Sequence, residues 1–86
     1  MQRFIIIVAT DVASGFLHSP LVNVMEGFGD IILEWSVDLD DVDKVLRVVS
    51  KKDISFLLIY QIKKASIQCK LMDVFEDTDG SLVLLR

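Results

Sequence analysis

One cysteine, one histidine and one proline stand in 86 residues, and each scarcity closes off a class of protein. The lone Cys69 has no second cysteine to pair with, so no internal disulfide staples the fold. It points to a reducing compartment or to no redox role. With His18 as the one imidazole, acid–base chemistry would rest on carboxylates in turn-like segments, where nothing shifts their pKa. No Ser/His/Asp set, glycine-rich phosphate loop or carboxylate pair on a shared surface emerges, so the sequence predicts no enzyme. Positive charge is also short. Nine Lys and Arg stand against thirteen Asp and Glu, a net charge of −4, and the bases are scattered. That argues against a nucleic-acid partner, whose binding rests on neutralised phosphates. Long apolar runs are absent too. The longest, Phe4–Ala9 and Phe56–Tyr60, fall far short of the roughly 18 residues of a membrane span. Thr10 and Asp11 interrupt the first run before it reaches signal-peptide length. The expectation is a cytoplasmic protein that neither spans nor inserts into membrane.

What is abundant is apolar side chain: 52% of the chain, above the usual ~45–50%. A single domain of this size buries only about 60–65% of its unfolded surface. Much of that apolar content therefore stays outside, where a homodimer or another protein partner could cover it. Disorder is excluded at this hydrophobicity.

Phe4–Val8 is β-branched and apolar on both faces, the pattern of a strand buried on two sides or half-covered by a partner. After a small, polar loop, Ser19-Pro20 reads as an N-cap followed by proline at the first helical position. Leu17, Leu21, Val24, Met25 and Phe28 recur at helical spacing until Gly27-Phe28-Gly29 ends the helix. A strand with Leu33, Trp35, Val37 and Leu39 in phase then turns through Asp40-Asp41 into a second strand with Leu46 and Val48.

Residues 54–62 leave two readings open. A nearly continuous apolar run favours a strand by propensity. Against this, Leu58, Ile62 and Ala65 share one helical face, Asp53 or Ser55 can cap the start, and Lys63-Lys64 suit a helix C-terminus. Ile67, Cys69 and Leu71 alternate again as a strand, Glu76–Gly80 is a turn, and Ser81–Arg86 can add a fifth strand hairpinned onto the fourth.

The segment from Glu34-Trp-Ser-Val-Asp to Asp43-Lys-Val-Leu-Arg-Val48 resembles the hairpin of heavy-metal-associated, copper-chaperone-like domains. Lys63-Lys64-Ala65-Ser66-Ile67 is similar to a Lys-Lys-Ala-Gly-Tyr-like run that ends the second helix in that family. The resemblance covers about residues 3–73 and selects the helix for 54–65. It implies an α+β, ferredoxin-like βαββαβ fold, with two helices on one face of a four-stranded antiparallel sheet. Strands are expected over 3–9, 31–38, 44–50 and 67–75, helices over 19–28 and 54–65. The core of the domain would be 3–75, and 76–86 a C-terminal extension.

The same resemblance implies a C-x-x-C metal clamp for Cu(I) or Zn(II) at the start of the first helix. Counting back from Trp35 places Gly15 and His18 at the two cysteine positions. A glycine offers no side-chain ligand, so the expectation is a lost thiolate site and no cofactor. Two readings of His18 follow: a loop histidine without a role, or the centre of a diverged Cu or Zn site. Cys69 has a similar pair, core residue or neighbour of that loop. The acidic turn Asp38 to Asp43 lacks the glycine and distal glutamate of an EF-hand loop and reads as a solvated turn. In the helical reading Phe56 and Tyr60 sit one turn apart on the outward face, flanked by Leu57. Exposed aromatics with aliphatic neighbours have the composition of an interaction anchor. The functional expectation is a binding or oligomerisation module on a heavy-metal-associated scaffold, with two-fold self-association through the open sheet face or this helix.

Overall fold

A computed structural model describes residues 2–11, 18–38, 40 and 44–85, with the backbone alone described at His18 and Ser19. Among these residues the fold is α+β, a five-stranded antiparallel sheet with two α-helices. The strands are β1 (Gln2–Thr10), β2 (Ile32–Asp38), β3 (Val45–Ser50), β4 (Cys69–Thr78) and β5 (Ser81–Leu84); the helices are α1 (His18–Glu26) and α2 (Ser55–Lys64). The order across the sheet is β2-β3-β1-β4-β5, so the sheet is wider by one strand than the four expected from the resemblance.

Both helices pack on one face of the sheet. Leu21 and Met25 of α1 and Leu58 and Ile62 of α2 close over Ile6, Val8, Leu46, Val48 and Val74, all buried. Segment 54–62 is thus helical despite its strand propensity. Its 3.6-residue pattern buries Leu58 and Ile62 while leaving Tyr60 between them exposed, whereas a strand of period two would put all three on one face. Asp53 Oδ1 accepts from the Ser55 N–H at 3.1 Å and satisfies one of the open donors at the helix start. At the other end Ser66 takes φ 67°, its N–H donates to the Lys63 carbonyl at 2.9 Å, and the Ile67 N–H reaches the Ile62 carbonyl at 3.2 Å. This is the Schellman closure, with the buried Ile62 and Ile67 as its apolar pair.

Three local expectations shift. Helix α1 starts at His18, so Ser19 and Pro20 occupy its first turn, where a missing proline N–H costs nothing. In β2 a register shift between Ile32 and Glu34 puts Leu33 out of phase and exposed, while Trp35 and Val37 pack on the core. In β4 a second shift, opposite Ile7 and Val8, changes the phase so that Val74 faces inward, and the strand runs on to Thr78. Leu39, Asp41 and Asp43 of the acidic turn lie outside the described residues.

Candidate functional site

The expected metal position cannot be built from the described residues: Gly15 lies outside them, and of His18 only the backbone at the start of α1 is described. Among the described residues no three His, Cys, Asp or Glu side chains converge as metal ligands. Cys69 opens β4, half-buried against the core, with its thiol 3.8 Å from the Ile59 carbonyl. Burial pushes its pKa up, Lys63 pulls it down and Asp11 pushes it up again, leaving it above the ordinary value. Desolvation dominates because the thiolate is the charged form. The sign follows: folding is favoured while the thiol is neutral, and that contribution is lost as pH rises past the ordinary thiol value of 9.0. A thiol poised this way is a weak nucleophile at neutral pH.

The outward face of α2 is different. Phe56, Leu57 and Tyr60 are 72%, 51% and 59% exposed on a helix whose opposite side is fully buried. Their positions follow from Leu58 and Ile62: once these point at the sheet, residues two before and two after Leu58 must point away. Leu57 leans to the side of α1. Together with Gln61 it lines a groove of about 370 Å3 whose far wall is Val24, Gly27 and Phe28. Of the three exposed residues Leu57 lines this cleft between the helices, while Phe56 and Tyr60 do not. The sequence reading found the three α2 residues but missed this far wall; the helical spacing of Val24 and Phe28 was its available signal.

The second apolar surface runs across the face of the sheet away from the helices. Register alone assembles it. Val49 lies opposite Ile5, Ile5 opposite Phe75, and Phe75 opposite Leu84. Partners in register share a face, and Ile6 next to Ile5 faces the helices, so this row faces the other way. Val49 is almost fully buried although it lies outside the helix-covered core. Two ion pairs on that face flank the row, Arg3 with Asp77 at 2.8 Å and Arg47 with Glu34 at 3.5 Å. The row ends at β5, where Leu82, Val83, Leu84 and Leu85 are 43–57% exposed. The expectation of a two-faced apolar β1 pointed here, but the length of the row needs β4 and β5 in register.

Among the described residues no helix is long and apolar enough to cross a membrane. No protein-family model matches the chain, and no curated protein matches it.

Proposed function

We propose that the domain is a non-catalytic binding and oligomerisation module, working in the cytoplasm on a ferredoxin-like scaffold related to heavy-metal-associated domains. The sheet order of β2, β3, β1 and β4 with two helices on one face is compatible with that scaffold. Ser66 adds support: the left-handed residue that closes α2 falls where the resembling run carries glycine, the residue that adopts this conformation without strain. On this reading the thiolate clamp is gone, Gly15 and His18 hold no copper or zinc, and the protein's surfaces act by docking.

The observation that carries the reading is the exposed apolar set of Phe56, Leu57 and Tyr60 on α2, of which Leu57 also lines the interhelical groove. Aromatic groups of this kind dominate interface energetics when a partner removes them from water. The test is selection of helical peptides from a displayed library against the full chain. Enriched peptides should bind the wild-type protein and lose at least about tenfold in affinity to a Phe56→Asp, Tyr60→Asp variant, a change of ~1.4 kcal/mol or more. In parallel, sedimentation with and without Cu(I) and Zn(II) should show a mass above the monomer that metal leaves unchanged. A monomer that takes up stoichiometric Cu(I), and loses it on His18→Ala, would replace docking with metal handling.

A further inference from the structure

We propose that β5 is a self-pairing edge: two copies of the chain join antiparallel, β5 to β5, about a two-fold axis at Val83, making one ten-stranded sheet. The proposal rests on the reading of the domain as an assembly module, and it assigns the second copy to β5, not to α2.

Backbone direction is the first argument. The Leu85 N–H donates to the Val74 carbonyl at 2.7 Å, so residue 85 turns its backbone groups toward β4. Alternation along a strand then directs the N–H and C=O of Leu84 and Leu82 outward, and those of Val83 inward. An outward row of this kind is a template for another strand. Centred on Val83, the antiparallel register pairs Leu82 of each copy with Leu84 of the other and exchanges their four hydrogen bonds. Leu82 and Leu84 also share the uncovered face, opposite Asp77 and Phe75. Four leucines would meet there and join the two rows of Val49, Ile5 and Phe75 into one apolar stripe.

Charge is the second argument. The chain carries −4, so its copies repel each other over most of their surface. Ser81–Leu85 has no charge at all. In space the nearest acids are Glu76 and Asp77 of β4, opposite Val83 and Leu82, and Asp77 is paired with Arg3. In the paired sheet each of these acids stands three strand spacings from its symmetry mate, roughly 14 Å, beyond the ~8–10 Å screening length. The opposite edge, β2, carries Glu34 and Asp38 and would bring acids together. Area is the third. Covering the exposed parts of Leu82, Val83, Leu84 and Leu85 on both copies removes at most about 800 Å2, the low end, where contacts are weak and transient. The dimer is therefore weak and reversible. An axis normal to the sheet leaves all four helices on one side, each α2 patch open.

Sedimentation of the full chain over the micromolar range tests this. Leu84→Pro removes an outward donor while leaving every β4–β5 hydrogen bond, and should weaken the dimer at least about tenfold. Phe56→Asp with Tyr60→Asp should leave it unchanged. A second variant guards against misfolding of the first. In a Cys69→Ser background, Val83→Cys places two thiols at a non-hydrogen-bonded pair, about 4.5 Å between Cα atoms, within disulfide range. With diamide as oxidant it should form a linked dimer at least about tenfold faster than Leu57→Cys, the factor expected when the encounter is pre-paired. A wild-type monomer throughout, a dimer indifferent to Leu84→Pro, or linkage at Val83→Cys no faster than at Leu57→Cys would overturn the proposal. A dimer lost only in the Phe56/Tyr60 variant would overturn it too, while upholding docking at α2. The reverse pattern, with no peptide binding at α2, would remove the α2 reading and leave this one standing.

Discussion

The sheet has two edges, and they are built in opposite ways. At β2, Trp35 and Val37 reach into the helix-covered core, a register shift bends the strand near Ile32, and Glu34 and Asp38 put charge along it. Those are the standard defences of an edge: a twist and charged side chains. At β5 every residue from Ser81 to Leu84 is exposed, the pairing with β4 runs without a shift, and no charge interrupts the apolar sequence. The strand is held by its backbone ladder and by the turn before it. The difference teaches that a strand can be added to a sheet without being added to the core. Such a strand is held by hydrogen bonds that water competes for, and its apolar side chains remain available for another surface.

Truncating one side chain at each edge gives the largest effect. Trp35→Ala removes a large ring packed on the core and should cost about 2–4 kcal/mol, somewhat less than a fully buried tryptophan would. Val83→Ala removes two methyl groups from water and should fall within about 0.5 kcal/mol. Urea unfolding well below micromolar protein, where self-association is absent, compares the two. Similar losses would mean that β5 is packed into its own monomer, and the contrast between the edges would collapse.

How far the sequence foretold this contrast depends on which interactions set each element. Element order followed from period and from turn residues except at 54–65, where the residues left strand and helix open and the family resemblance selected the helix; burial on one side leaves its trace in the spacing of Leu21 and Met25 and of Leu58 and Ile62. The outward set of Phe56, Leu57 and Tyr60 came from the same logic, since fixing the inward face of a helix fixes the outward one. Leu33 was misplaced because a strand shift moves a side chain to the other face without altering composition. The phase change in β4 at Met72 is of the same kind: nothing in Cys69-Lys-Leu-Met-Asp-Val74 announces which residue will be the extra one. The apolar row from Val49 to Leu84 was illegible for a different reason. It depends on four strands meeting in one register, and apart from the two-faced apolar pattern of β1 each contributes a single residue that is unremarked in its own segment. Metal positions Gly15 and His18 were reached by counting from Trp35, and the geometry of that site lies outside the described residues.

A smaller effect comes from the turn that carries β5. Asp79 and Gly80 both have positive φ, 53° and 84°, the two-residue hairpin whose twist matches its strands. A Cβ added at Gly80 meets open space, so the cost of Gly80→Ala is conformational alone. It should be about 1 kcal/mol, and it should appear locally. Hydrogen exchange at Val83 and Leu85 should quicken while the amides of β1 and β3 keep their protection. Uniform loss of protection would show that β5 is welded to the rest of the sheet, which would erase the distinction between a strand of the core and a strand of the ladder.

The smallest effect reverses the ranking of the edges. The ion pair next to β5 is the tighter one: Arg3 meets Asp77 at 2.8 Å, and the Asp77 side chain, directly opposite Leu82, is only 16% exposed. The pair next to β2 joins Arg47 and Glu34 at 3.5 Å, with side chains 47% and 69% exposed. Coulomb attraction grows as the pair leaves water, while the entropy of fixing the longer side chain is similar in both. A double-mutant cycle on Arg3→Ala and Asp77→Ala should therefore give a coupling of about 0.5–1 kcal/mol, whereas Arg47→Ala with Glu34→Ala should give at most about 0.3 kcal/mol. Both should shrink with added salt, the exposed pair first. Equal couplings would place the two edges in the same electrostatic environment. A larger one at Arg3 and Asp77 would mean that the uncovered side of β4 is screened by Leu82 and its neighbours even before a second copy arrives.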